Sequence, residues 1–136
     1  MSGKNLLKAG YSWKEEFYFG SNFTICEFAN MIQDTNPIHH RTDAARKMGF
    51  RDIIAPGVMV MGVVSSTIAK ELPCTQVRKL SIKFMNPVYA GNKILVRCTV
   101  IKEKGLIVEV AVNIRNTTYN YSIVAQGSCT IILPKT

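Results

Sequence analysis

An α+β fold, with an antiparallel sheet wrapped around one buried helix, follows from three features of the chain. One is an early aromatic strand followed by helical spacing. Another is a long run, "APGVMVMGVVSSTIAKEL", that is apolar on nearly all sides until Lys70. The last is a set of four alternating segments after Pro73. A helix apolar all round belongs inside a protein, and strands with one apolar face supply the surface that covers it. At 136 residues the chain is expected to form a single domain, 1–136, with one core.

The elements follow in order. "YSWKEEFYF" at 11–19 is rich in aromatics and is expected to form the first strand. Thr24 and Glu27 have the spacing of a capping box for a helix over "ICEFANMIQ", which places Ile25, Phe28, Ala29 and Ile32 on one face and ends near Asp34. Pro37 disfavours helix at Asn36, so the stretch 33–45 is expected to be a loop. A short helix over "TDAARKM" ends at Gly49, and Pro56 suits the first position of the apolar helix. In "RKLSIKF", Leu80, Ile82 and Phe84 alternate with Lys79, Ser81 and Lys83, the period of a half-buried strand. Strands at 92–101, 106–115 and "YSIVAQGSCTIIL" complete an antiparallel meander, with a tight turn at Lys104-Gly105. Such a sheet leaves free edges, and a homodimer is expected.

Composition narrows the function classes. The amino-terminal stretch has no apolar core long enough for a signal peptide, and "IIAPGVMVMGVV" is too short to span a membrane, so a cytoplasmic protein is expected. Cys26, Cys74, Cys98 and Cys129 form no C-x-x-C pair and are expected to be buried free thiols. The net charge of +8 favours anionic partners. Its lysines and arginines are scattered along the chain, from Lys4 through Lys104 and beyond, and no nucleic-acid-binding motif accompanies them. Neither G-x-S-x-G, a P-loop nor G-x-G-x-x-G occurs.

Chemistry concentrates in "QDTNPIHHRTDAA" at 33–45. A loop can converge Asp34 and His39, and a carboxylate beside an imidazole orients it and tunes its basicity. Asn36 can close the loop through its own backbone. By residue type alone the same stretch also reads as a solvated turn. Adjacent histidines rarely ligate one zinc and no third histidine exists, so no metal is expected. Gly57 opens the apolar helix, where unpaired amides and the positive dipole end can stabilise an oxyanion, or it only relieves crowding. Ser65 can face a ligand or bond its own helix.

Together, "QDTNPIHHRTDAARKMGFRDIIAPGVMV" resembles the hydratase motif of the MaoC-like (R)-specific enoyl-CoA hydratases. Asp34, Asn36, Pro37, Ile38 and His39 match D-x-N-P-[IL]-H; Ala44, Ala45, Phe50, Ala55 and Gly57 follow in the family's order, and "IKFMNPVYAGNKI" is similar to its F-x-x-P-V-x-x-G-D segment. The resemblance implies a hot-dog fold working as a homodimer. It also implies addition of water to a trans-2-enoyl thioester to give the (R)-3-hydroxyacyl product, or the reverse. Coenzyme A or an acyl carrier protein would be the substrate's carrier and no cofactor would be needed. Asp34 and His39 would activate the water, Gly57 would polarise the thioester carbonyl, Ser65 would support the pair, and Asn36 would assist binding. A carrier-protein-dependent dehydratase shares this site. A hot-dog thioesterase would not need the loop, and a non-catalytic acyl-CoA-binding module would not need intact Asp34 and His39. Three positions depart from the family pattern: Arg41 replaces an aspartate, Pro56 a histidine, and Asn92 an aspartate. Of these, Arg41 and Pro56 are expected to bear on substrate choice.

Overall fold

The computed structural model describes residues 7–135; Lys4 and the first six residues of the amino-terminal stretch, where no signal peptide is expected, lie outside the described residues. The chain runs through β1 (Ser12–Phe19), α1 (Asn22–Met31), a 3-10 turn (Pro37–His39), α2 (Thr42–Lys47), α3 (Gly57–Glu71), β2 (Gln76–Phe84), β3 (Asn92–Lys104), β4 (Ile107–Asn116) and β5 (Ser122–Ile132). The five strands make one antiparallel sheet in the order β1-β3-β4-β5-β2, so the expected meander forms its centre and β1 and β2 its edges.

Alternation puts Ile94, Val96, Cys98 and Val100 of β3 and Val108, Val110, Val112 and Ile114 of β4 into the core. Register shifts at Val77/Lys79, Val100/Lys102 and Ile114/Arg115 each add local twist and help the sheet bend. The bend is visible in what α3 touches, because it packs on both edge strands and on β3. Lys70 near its end pairs with Glu15 of β1 at 2.5 Å, and the Tyr11 hydroxyl bonds Glu71.

Several local expectations are corrected. The N-cap of α1 is Ser21, whose Oγ accepts from the Thr24 amide at 3.2 Å, and not the Thr24–Glu27 box. Ser21 is the residue left in extended geometry as β1 turns into the helix, and only such a residue can cap. Pro56 is the N-cap of α3 instead of its first helical residue. The apolar helix is not buried all round: Val60, Val64, Thr67 and Ile68 face the sheet, while Gly62, Ser65 and Ala69 are exposed and Val58 is 54% exposed. One curved sheet covers one helix face and leaves the opposite stripe open. Cys98 and Cys129 are buried free thiols as expected, but Cys26 is half-buried and Cys74 exposed. No helix among the described residues is long and apolar enough to cross a membrane.

Candidate active site

The loop carrying Asp34 is built by the end of α1. Gln33 adopts a left-handed conformation (φ 59°). Its amide donates to Asn30 O at 3.0 Å, and the Asp34 amide donates to Ala29 O at 2.8 Å. These two bonds are the Schellman arrangement that usually calls for glycine at this position. Asp34 therefore leaves the helix in a fixed direction. Its Oδ1 accepts from the Asn36 amide at 3.0 Å. Asn36 caps the 3-10 turn, accepting from the Ile38 amide at 3.3 Å, and Pro37 supplies the first position of that turn.

His39 closes the turn and is 6% exposed. Its Nδ1 lies 2.7 Å from the Ile54 carbonyl oxygen. A carbonyl only accepts, so Nδ1 carries a proton and donates, and Nε2 is the nitrogen turned toward the loop. That Nε2 faces Asp34 Oδ2 at 3.5 Å, too long for a strong direct bond. Ile54 fixes the loop twice over, since its own amide donates to Ile38 O at 3.1 Å. Three residues later α3 begins, so this pairing brings the imidazole to the helix N-terminus. Cys26 on α1 adds a thiol bond to the His39 carbonyl at 3.3 Å.

His39 and Gly57 line one cavity of about 280 Å³, walled mostly by apolar side chains including Phe50, Val60, Phe84 and Met85. Gly57 is the first residue of α3 and has one of the amides that no helix can satisfy internally. A Cβ there would lie 2.9 Å from Phe84 Cζ, so glycine lets the ring rest against the helix start. The predicted residues do not all converge. Asp34 joins His39 at the cavity's edge without lining it, Asn36 is an exposed loop cap, and Ser65 lies on the open face of α3 away from the cavity. Neither Asn36 nor Ser65 is thus in a ligand-facing position within one chain. Arg41 and Pro56 are not cavity residues either; the Arg41 guanidinium pairs with Asp43 at 3.0 Å in solvent.

Three participants carry no sequence signal: the Ile54 carbonyl, the Cys26 thiol and His40, whose Nε2 donates to the Asp34 carbonyl at 2.7 Å. A fourth is Asp52. Its Oδ1 accepts from the Thr42 hydroxyl at 2.8 Å and the Ile53 amide at 2.7 Å, tying α2 to the segment that enters α3. Those bonds, the hydroxyl's first, hold its pKa below the ordinary carboxylate value. No group of three metal-ligating side chains occurs among the described residues.

The MaoC-like domain model matches residues 21–121. A mitochondrial 3-hydroxyacyl-[acyl-carrier-protein] dehydratase of Arabidopsis thaliana is 30% identical over 146 residues, covering 98% of this chain and 82% of that protein. An (R)-specific enoyl-CoA hydratase of Rhodospirillum rubrum is 33% identical over 112 residues, covering 79% and 75%. The unliganded R-hydratase of Pseudomonas aeruginosa superposes with a TM-score of 0.84 at 24% identity, over 96% of this chain and 84% of that one, which establishes the shared fold.

Proposed function

The chain belongs to the MaoC-like domain family, and from that membership we propose that it is a hydro-lyase interconverting trans-2-enoyl and (R)-3-hydroxyacyl thioesters, with Asp34 and His39 as the reacting pair. The observation that carries this reading is His39 Nε2 facing Asp34 Oδ2 at 3.5 Å, beside a cavity that also reaches the start of α3.

In the hydration direction the water oxygen gives an electron pair to C3 as the C2–C3 π bond breaks and its electrons move toward the thioester carbonyl. One proton of the water passes to the Asp34–His39 pair, and the pair delivers a proton to C2, so the addition is redox-neutral. Both events take place on the face of the substrate that meets the pair, which gives syn addition. Because the two groups share one water and one proton, acid and base roles belong to the pair and not to either residue. As C3 is attacked, negative charge develops on the thioester oxygen. The Gly57 amide, in the first turn where the helix itself supplies no acceptor, and the positive end of the 15-residue α3 are suited to stabilise it. The remaining wall of the cavity is apolar and suits the acyl chain.

Coenzyme A is the proposed carrier, and the formal charge of +8 favours its phosphates. Dehydration of a carrier-protein-linked substrate is the second reading, supported by the near full-length match to the plant dehydratase. The open stripe of α3 (Val58, Gly62, Ser65, Ala69) and the free edge of β2 support a homodimer, in which Ser65 would face the second copy.

The test is loss of the conjugated thioester absorbance of crotonyl-CoA and longer trans-2-enoyl-CoA substrates. D34N and H39Q are each expected to lower kcat by about 10²–10⁴-fold, the range positioned acid–base groups contribute. Wild-type protein inert toward CoA-linked and carrier-linked enoyl substrates would refute the hydro-lyase reading. Variants as active as wild type would refute the site.

A further inference from the structure

The proposed reaction gives His40 no part, yet the residue is held as firmly as its neighbour. Its Nε2 lies 2.7 Å from the Asp34 carbonyl oxygen. Since that oxygen only accepts, Nε2 bears a proton and donates. The two adjacent histidines therefore each donate to a backbone carbonyl, His39 from Nδ1 to Ile54 and His40 from Nε2 to Asp34.

The bond closes the loop from its far end back to its first residue, a span of six positions. Asp34 follows Gln33, a non-glycine residue at φ 59°, and a left-handed residue of this kind persists only where its surroundings hold it. The Asp34 amide is held by Ala29 O, on α1. The Asp34 carbonyl is held by the His40 imidazole. With both sides of its backbone fixed, Asp34 has only its two side-chain torsions left, and its Oδ1 is taken by the Asn36 amide. Oδ2 is then directed at His39 Nε2.

We propose that His40 is a positioning residue: its imidazole clasps the Asp34 carbonyl and so fixes the carboxylate against His39. This inference rests on the hydro-lyase reading of that pair. Both the neutral Nε2–H ring and the imidazolium donate from Nε2, so the clasp is retained whichever form His40 takes. A residue acting through geometry affects the reacting state more than ground-state binding, and displacement of a reacting group by about 1 Å can cost about 10²-fold in rate.

The experiment compares full-length wild type, H40M and H40Q on crotonyl-CoA. Methionine and glutamine are similar in length, but only glutamine donates. H40M is expected to lower kcat about 10–100-fold with KM within about twofold of wild type, and H40Q to recover most of the loss. Wild-type kcat in H40M, a loss confined to KM, or H40Q no better than H40M would each overturn the proposal. Should H40M fail to fold, H40N replaces it, its amide being one methylene too short to reach Asp34; wild-type kcat in H40N then overturns the proposal. A second readout needs no turnover. The 15N resonance of His39 Nε2 is expected to shift in H40M and return in H40Q. An unmoved resonance overturns the clasp, whereas wild type that is inert with the resonance shifted refutes the reaction and leaves the clasp standing.

Discussion

Replacement of Gly127 by alanine tests how closely β2 is held against β5, and through β2 how the cavity wall is held. A Cβ at 127 would lie 1.8 Å from Ser81 O, 2.8 Å from Ser81 C and 2.9 Å from Ile82 Cα, all backbone atoms that no rotamer change can move. Ordinary contact begins at 3.4 Å, so the strand must retreat by about 3.4 − 1.8 = 1.6 Å. That takes hydrogen bonds beside the Ser81–Ser128 and Ile82–Gly127 pairs beyond useful length. Two lost ladder bonds cost about 1–3 kcal/mol, and loosened packing of half-buried Leu80 and Ile82 adds about 1 kcal/mol. Because β2 is an edge strand it can give way, which keeps the total near 3 kcal/mol and below a core clash. For a chain of this length that corresponds to a fall in Tm of about 12 °C. The displacement also reaches function, since β2 ends at Phe84, whose ring rests on Gly57 at the cavity. Thermal melts followed by far-ultraviolet circular dichroism measure the first effect, and kcat/KM at 20 °C, where the variant is still folded, the second. Ser128→Ala, one residue along and exposed, is the control, expected within about 0.5 kcal/mol of wild type. A fall in Tm of less than about 4 °C for G127A, equal to about 1 kcal/mol, would refute the close approach of the two strands.

The cysteines give a second prediction. Burial, with the neighbouring Cys129 thiol, pushes Cys98 up to about 12, and burial, with the Glu109 carboxylate, pushes Cys129 up to about 11. At pH 8 iodoacetamide is expected to label exposed Cys74 quickly and Cys98 and Cys129 only after unfolding, as mass spectrometry of native and denatured samples reads directly; Cys98 reacting as fast as Cys74 would contradict its burial. The folded thiols keep protons that the unfolded chain releases from about pH 9.0, so stability falls as pH rises from there toward 11–12, and less steeply in a C98A/C129A variant. Asp52 has the opposite sign: its lowered pKa gives stability that is present above the ordinary carboxylate pKa and lost as pH falls through the lowered one. D52A is expected to cost about 1–3 kcal/mol in urea denaturation at pH 7 and to flatten the acid limb of the stability profile, and an unchanged midpoint would show that the carboxylate does not join α2 to the entry of α3.

What could be read from the sequence was what depends on periodicity and on local motif. Alternation from Val108 to Ile114 marked β4 because one face is core and the other is not. Asp34 and His39 were legible because Pro37 and Asn36 make their meeting a local event. Ser65 was not placed, because a helix apolar on every side does not reveal which face the sheet will cover. The capping box at Thr24 failed against Ser21 because both hydroxyls have suitable neighbours and only the extended geometry at Ser21 decides between them. The Ile54 carbonyl could not be found at all, since a backbone acceptor has no residue type. The same holds for His40: its partner is the backbone of Asp34, which no residue type announces.

The three departures from the family pattern, Arg41, Pro56 and Asn92, all lie outside the cavity lining. Arg41 points to solvent, its guanidinium holding the exposed Asp43 carboxylate through two bonds of 3.0–3.1 Å, so replacing an aspartate there changes the outside of the loop. Pro56 is buried as the N-cap of α3, with extended geometry that its ring favours, and it offers no side-chain cap bond to the start of the helix. Asn92 is 2% exposed and accepts at Oδ1 from the Tyr89 amide and the Asn116 side chain, both at 2.9 Å. An amide oxygen fills that accepting role without the cost of burying a charge, so the substitution preserves the turn before β3. None of the three touches the cavity. Selection of the acyl chain is therefore assigned to the walls that do, Phe50, Val60, Phe84 and Met85, and substitutions that change the volume of those side chains should move chain-length preference where Arg41 and Pro56 variants do not.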